Sequence, residues 1–252
     1  MLKRERHKKI IEYLMTNKTV RTSFLSEKLQ VSEVTIRKDL KELEEERMLI
    51  KTHGGAVLGE DKLDFPFNIR EIKHMKEKRL IAKKAIQLIN ESEVIFLDAG
   101  TTTLEIARKI KESDINRLSV VTNSLQVTNT LADSQVNLKL IGGDLVQDTL
   151  SFVGPDALKY LKKLTVNKLF LGASGISLEY GITNTNIFEA ELKKEMIKVA
   201  REVVLVADSS KIDNLALNRV AGLEDIDILI TNLGVDKTFI KKAKNKVDLI
   251  LI

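Results

Sequence analysis

A winged helix-turn-helix ahead of an α/β domain built on a mainly parallel sheet is the fold class this sequence predicts, and three observations predict it. The stretch VSEVTIRKDL at 31–40 is an amphipathic helix whose outer stripe is hydroxyl, methyl and cation. The stretch RMLIKTHGGAVL at 47–58 has the composition of a hairpin with a sharp turn. Beyond residue 90, apolar runs alternate with amphipathic stretches, the pattern of buried parallel strands joined by helices.

With 252 residues, 43% of them hydrophobic, the chain can bury a substantial core, as one large domain or a medium domain with a small partner. It has no Cys, which excludes disulfides and thiolate metal sites and fits a reducing compartment. The longest apolar runs, such as VVLVA at 203–207, fall far short of the ~20 residues a bilayer span needs. No signal-like segment follows the basic N-terminus, so a cytoplasmic protein without a membrane partner is expected. Of the net charge of +5, most sits early: residues 1–56 hold eight Lys and five Arg against nine acidic residues. Local positive charge favours a polyanion, because neutralised phosphates release their condensed counterions. The plain alternative is a merely solvated Lys-rich surface.

Three helical segments fit the first 46 residues. Leu2–Met15 has Ile10, Ile11 and Leu14 at helical spacing, Thr22–Leu29 carries Leu25 and Leu29 four apart, and Ser32 starts the third. Only Gln30 and Val31 separate the second and third, the tight connection of a helix-turn-helix. At ~100° per residue, Ile36, Leu40 and Leu43 share one stripe. Val34, Thr35, Lys38 and Lys41 lie opposite, with Arg37 at the border. Thr and Val reach thymine methyls, Arg can bond guanine bidentately and Lys meets phosphates, so the front of this helix suits a major groove. Glu44, Glu45 and Glu46 would repel DNA at its far end. The wing, with Lys51, His53, Gly54 and Gly55, would touch backbone or minor groove. The competing reading is a small helical interaction domain.

The run VSEVTIRKDLKELEEERMLIKTHGGA resembles the N-terminal signature of the DeoR family of bacterial transcriptional regulators over 26 near-continuous positions. The resemblance implies binding to double-stranded operator DNA, usually repression, with Ser32, Thr35, Arg37, Lys38 and His53 at the DNA face.

Residues 57–67, with Gly59, acids and Pro66, read as a connector, and helical spacing resumes from Asn68 to Asn90. The expected organisation is a DNA-binding domain at 1–57, a linker and the start of a connecting helix at 58–75, and an effector domain at 76–252. His74 reads as solvated.

In the large domain, strands are expected at 94–100, 118–124, 138–143, 168–175, 203–210, 227–232 and 247–252. Helices are expected at 103–111, 125–132, 186–202 and 237–244. In such sheets ligands settle beyond the carboxyl ends of the strands, where small and polar residues gather in this sequence. Asp98, Gly100, Thr101, Thr102 and Thr103 stand between a strand and a helix start, where free N–H groups and the positive helix end favour a phosphate. Gly-Thr turns also cap helices with no ligand. No GxxxxGK[ST] or GxGxxG occurs, so neither a nucleotide P-loop nor a dinucleotide site is supported. Asn123 and Ser124, Gly142 and Gly143, the GASG loop ending at Gly175, and Lys211 end other strands or loops on the same edge. Glu189, Glu191, Lys193 and Lys194 begin a helix, and Glu189 with Lys193, four apart, reads equally well as a surface ion pair.

The blocks DAGTTT, VTNS, GG, LGASGI, AELKKEM and ADSSK are similar to the DeoR effector domain, so the resemblance spans nearly the whole chain. It implies a fold of the ribose-5-phosphate isomerase and glucosamine-6-phosphate deaminase type and a phosphorylated sugar as effector. Asp98 and Gly100 to Thr103 would cradle the phosphate, and Asn123, Glu191, Lys193 and Lys211 would face the sugar. The chain then reads as a sugar-responsive repressor, a homodimer or homotetramer, with no cofactor, metal or catalytic residue. The rival is a sugar-phosphate isomerase or deaminase with an accessory N-terminal domain, in which Asp98, Glu189 or Glu191 is a base.

Overall fold

The structure, a computed structural model, describes residues 1–46, 48–57 and 65–252, Arg4 through its backbone only. Arg47 and Leu58 of the expected wing, and residues 58–64 of the expected connector, lie outside the described residues. The chain divides into two compact units, Met1–Lys73 and His74–Ile252. Among the described residues no helix is long and apolar enough to cross a membrane.

The first unit runs α1 (Lys3–Asn17), β1 (Thr19–Arg21), α2 (Thr22–Leu29), α3 (Glu33–Glu45), β2 (Ile50–Thr52), β3 (Gly55–Val57) and α4 (Phe67–Ile72). Ile10, Ile11, Leu14, Leu25, Ile36, Leu40 and Leu43 meet in one core, as their helical spacing requires. The turn between α2 and α3 closes on Gln30 in a left-handed conformation, φ 52°. Val31 N–H donates to Ser26 O at 3.2 Å, and the Ser26 hydroxyl donates back to Val31 O at 2.6 Å. Strands β2 and β3 pair antiparallel, with His53 and Gly54 as the two-residue turn between Thr52 and Gly55. Strand β1, too short to be read from three residues, adds to β3 and gives the order β1-β3-β2. A Cβ on Gly55 would lie 1.9 Å from Val20 O, so this glycine permits the close approach of β1 rather than the turn itself.

The helix expected from Asn68 to Asn90 is two helices. α4 ends at Ile72, His74 turns left-handed with φ 52°, and α5 (Met75–Ala85) follows. Phe67 and Ile69 of α4 are buried, Ile69 in the core of the first unit. A chain whose apolar residues serve two cores is cut where neither core claims it.

The second unit contains β4 (Val94–Leu97), α6 (Thr101–Lys111), β5 (Ser119–Thr122), α7 (Leu125–Leu131), β6 (Asn137–Leu140), β7 (Asp144–Val146), β8 (Ser151–Val153), α8 (Pro155–Leu161) and β9 (Val166–Leu171). It continues through β10 (Gly175–Ser177), β11 (Gly181–Asn184), α9 (Ile187–Val199), β12 (Ala200–Val206), β13 (Asn218–Ala221), β14 (Ile228–Thr231), α10 (Lys237–Ala243) and β15 (Asp248–Leu251). All seven expected strands join one sheet in the order β15-β14-β12-β9-β4-β5-β6, every pair parallel. From β4 the chain steps outward to β5 and β6, then returns to the far side of β4 with β9. The switch point is therefore the seam between β4 and β9, the place at which ligands settle in sheets of this kind. Five short strands escaped the sequence reading: the hairpin β7-β8 and the small sheet β10-β11-β13. Three or four residues carry too little periodicity to be seen.

Candidate nucleic-acid interface and effector site

Helix α3 starts at Ser32, whose hydroxyl accepts from Thr35 N–H at 3.2 Å and lies 2.9 Å from the Thr35 hydroxyl. Ile36, Leu40 and Leu43 are buried beneath it. Ser32, Val34, Arg37, Lys38 and Lys41 are exposed, Thr35 is half-buried, and His53 and Gly54 are exposed at the wing tip. These groups share one unit and the outer side of two neighbouring elements. Arg37 rests on Glu33 at 2.9 Å and Lys41 on Glu45 at 3.8 Å. Exposed i,i+4 pairs of this kind are worth about 0.3–0.5 kcal/mol, so both cations are readily released to a stronger anion.

The residue missed in this unit is Asp39. It is buried on the apolar stripe, three residues after Ile36, and accepts from Arg6 Nε at 2.5 Å and Nη2 at 2.9 Å, with His7 Nε2 at 3.2 Å. This two-pronged bond fixes α3 against α1. An acid on a core stripe was the available signal. At the other end Glu44 accepts Lys51 N–H at 2.8 Å, which ties the wing to α3.

In the second unit, Asp98 follows β4 and Gly172 follows β9, so both stand at the switch point. The Asp98 carboxylate is buried and accepts from Ala99 N at 2.8 Å and Gly172 N at 2.9 Å. It is also ion-paired with Lys193, whose Nζ donates to Gly172 O at 3.1 Å. Thr103 spends its hydroxyl on the α6 cap, within 2.8 Å of Gly100 O, and accepts from Gly100 N at 3.0 Å. Thr101 and Thr102 form the first turn of α6, whose leading N–H groups have no intrahelical acceptor. The anion-favouring part of the loop is therefore Thr101 and Thr102, because Gly100 N–H is already bonded to the Thr103 hydroxyl and to Asp98 O at 3.0 Å, while Asp98 and Thr103 shape it from behind.

Asn123, after β5, donates from Nδ2 to Phe152 O at 3.1 Å, and its buried Oδ1 has no partner among the described residues. Ser124 caps α7 by accepting Val127 N–H at 3.2 Å. The Ser124–Ser151 bridge brings β8 alongside, and Ser151 donates to Glu189 Oε1 at 2.6 Å. Asn184 Nδ2 donates to Glu189 Oε2 at 2.8 Å. Burial alone would raise the Glu189 carboxyl; the charge of Lys193 and hydrogen bonds from Ser151, Thr149 and Asn184 outweigh it and hold the pKa below the usual range.

Two expectations are corrected. Glu189 and Lys193 are not a surface pair: both are buried, with Lys193 bridging Asp98 and the field of Glu189. Glu191 does not share the buried face of α9 with Glu189 and Lys193, because two residues along a helix rotate ~200°. It is exposed and paired with Lys194 at 2.7 Å. Glu189, Lys193 and Met196 follow one helical stripe ending in a buried methionine, and that spacing was the missed signal. Gly175 lies within β10, where a Cβ would stand 2.3 Å from Asn214 O, so its role is close packing. Gly143 is exposed with φ +145° and its backbone against Val153 O. Lys211 is half-buried at the end of a short turn, Ser209–Lys211, after β12. A cavity of about 320 Å³ opens at the opposite, amino-terminal ends of the strands, beside Val94, Ser119, Asn137 and Val166, away from all of these groups.

Residues 6–62 match the DeoR-like helix-turn-helix domain, and residues 73–233 match the DeoR C terminal sensor domain. The HTH-type transcriptional regulator GlpR of Haloferax volcanii is 36% identical over 240 residues, 94% of this chain and 92% of that protein. The lactose phosphotransferase system repressor of Staphylococcus epidermidis is 32% identical over 239 residues, 92% of this chain and 93% of that protein. Ribose 5-phosphate isomerase A of Methanocaldococcus jannaschii aligns with 56% of this chain and 55% of its own at 19% identity and TM-score 0.42, a distance at which the likeness carries no argument about chemistry.

Proposed function

This chain belongs to the DeoR family of helix-turn-helix transcriptional regulators, and we propose that it is a DNA-binding repressor of a sugar-metabolism operon whose operator affinity is altered by a phosphorylated sugar. The observation that carries the reading is the pairing, in one chain, of an exposed hydroxyl-and-cation helix front with a cluster of small and polar groups at the switch point of a parallel sheet. Ser32, Val34, Thr35, Arg37, Lys38 and Lys41 enter the major groove, and His53 and Gly54 meet the backbone beside it. The phosphate of the effector takes the N–H groups of Thr101 and Thr102, beside Gly100. A sugar hydroxyl satisfies Asn123 Oδ1, a buried acceptor that costs about 1–3 kcal/mol when unmade. Lys193 is held by Asp98 as part of the wall, and Lys211 approaches from β12. The chain works in the cytoplasm as a homodimer or a pair of dimers, since one recognition helix reads one half-site.

An effector that prefers one arrangement of the chain shifts operator affinity by its differential binding energy, typically ~1–3 kcal/mol. The isomerase or deaminase reading draws on Asp98 and Glu189 as bases. Both carboxylates are buried and committed to Lys193, Ser151, Asn184 or backbone N–H groups, which favours the regulator.

The test is retardation of a fragment of the gene's own upstream DNA by the purified protein. Binding should weaken steeply with salt, and a screened sugar phosphate that raises the melting temperature should change it. Failure to retard that DNA at low salt removes the regulator reading. Turnover of sugar phosphates that disappears in Asp98→Ala would install the enzyme.

A further inference from the structure

We propose that Ile187, Phe188, Leu215 and Leu217 form the surface through which two copies of this chain pair. The proposal rests on the reading of the chain as a symmetric operator-binding protein and adds where the symmetry contact lies.

These four large apolar side chains are 49%, 58%, 48% and 90% exposed. The pairing of Asn184 with Asn218 in β11 and β13 brings their two segments together. Asn218 Nδ2 donates to Asn184 O at 3.2 Å and Thr185 O at 2.8 Å, which holds the residues just before β13, Leu217 among them, to the end of β11. Ala216 N–H is fastened to the Thr183 hydroxyl at 2.9 Å. The patch is thus built on bonded backbone.

Its polar neighbours are spent inward. Asn186 Oδ1 accepts Phe188 N–H at 2.9 Å and Glu189 N–H at 3.2 Å as the cap of α9, and Asn184 is shared between Glu189 and Ser174. A surface that turns its amides inward and its leucines outward suits an apolar partner, not a sugar or a phosphate. Its centre is also uncharged: residues 180–188 and 214–218 contain no Asp, Glu, Lys or Arg, in a chain that is 31% charged, and exposed Asp213 and Arg219 flank it. Depletion of charge and enrichment in aromatic and aliphatic side chains mark the core of an interface. Asp213 and Arg219, exposed and of opposite sign at the two ends of the 214–218 segment, let a neutral apolar centre with this rim complement itself across a two-fold, acid against cation. The patch borders the proposed effector site through the Asn184–Glu189 bond, so pairing and effector binding share a wall.

The experiment is sedimentation of the full chain, wild type against the double variant Leu217→Glu and Phe188→Glu, with Tyr160→Glu as an exposed aromatic control elsewhere. The wild type should sediment as a dimer, the double variant should dissociate with a dissociation constant raised about tenfold or more, and the control should match the wild type. Circular dichroism of the double variant should stay native, because these side chains are exposed. As a second readout, Leu217→Cys supplies the chain's only thiol, which should react with a maleimide more slowly at dimer-forming concentrations than in dilute solution. A monomeric wild type, an unchanged double variant, dissociation by Tyr160→Glu alone or equal maleimide rates would each overturn the proposal. Operator retardation is scored separately: a chain that binds operator but keeps its dimer in the double variant sinks this contact and leaves the regulator standing. A chain that dissociates as expected but never binds DNA does the reverse.

Discussion

The proposed recognition face and the proposed effector site both rely on charge, but they hold it in opposite ways. Arg37 and Lys41 stand in solvent, resting on acids one turn away. Lys193 is buried against Asp98 and within the field of Glu189, with Gly172 completing its bonds. An exposed pair contributes little to the fold and yields to a passing phosphate. A buried pair cannot yield, because separating its members leaves a desolvated charge. The difference teaches that the DNA surface is adjustable while the effector site is prearranged, and it can be broken by substitutions on each side.

The largest effect should come from Lys193→Met, which leaves Asp98 without its counter-charge. A loss of about 3–5 kcal/mol in the stability of the second unit is expected from thermal or denaturant unfolding. A loss below about 1 kcal/mol would mean that the pair is solvated and the contrast false. Next, Arg37→Ala should weaken operator binding by about 1–3 kcal/mol in an anisotropy titration, with the melting temperature and effector binding unchanged. Parallel loss of both activities would indicate damage to the fold.

The third prediction concerns acid. Glu189 has a folded-state pKa below its ordinary 4.5, so its contribution is fully present above that value and disappears as pH falls through the depressed one. Glu189→Gln should therefore flatten the acid limb of the stability profile below about pH 4.5. An unaltered limb would place the acid transition elsewhere. The smallest effect belongs to Glu191→Ala, within about 0.5 kcal/mol in stability and silent in effector affinity by calorimetry. A marked loss of affinity would restore Glu191 to the effector site.

Legibility in the sequence followed the range of the interaction. The helix-turn-helix was readable because Ile36, Leu40 and Leu43 repeat along one helix and the Ser32 cap acts over three residues. The seven parallel strands were readable because strands covered on both faces are apolar throughout. Asp39 went unread because Arg6 lies 33 positions away, and a lone acid on a stripe does not name its partner. The residues proposed for the effector site stand in the sequence as small and polar groups at strand ends. Their division into Thr101 and Thr102, with free N–H groups at the start of α6, and Asp98 and Thr103 behind them was not legible, since both kinds look alike in a string of letters.

What the sequence by itself determined is the helix-turn-helix, the seven strands of the parallel sheet and the cationic front of α3, because periodicity and capping act between near neighbours. Tertiary structure alone decided that β9 returns beside β4, that Lys193 meets Asp98 across 95 positions, and that Glu189 rather than Glu191 points inward. Burial and charge pairing are set by what the rest of the chain places against a residue, and that is fixed only when the sheet closes.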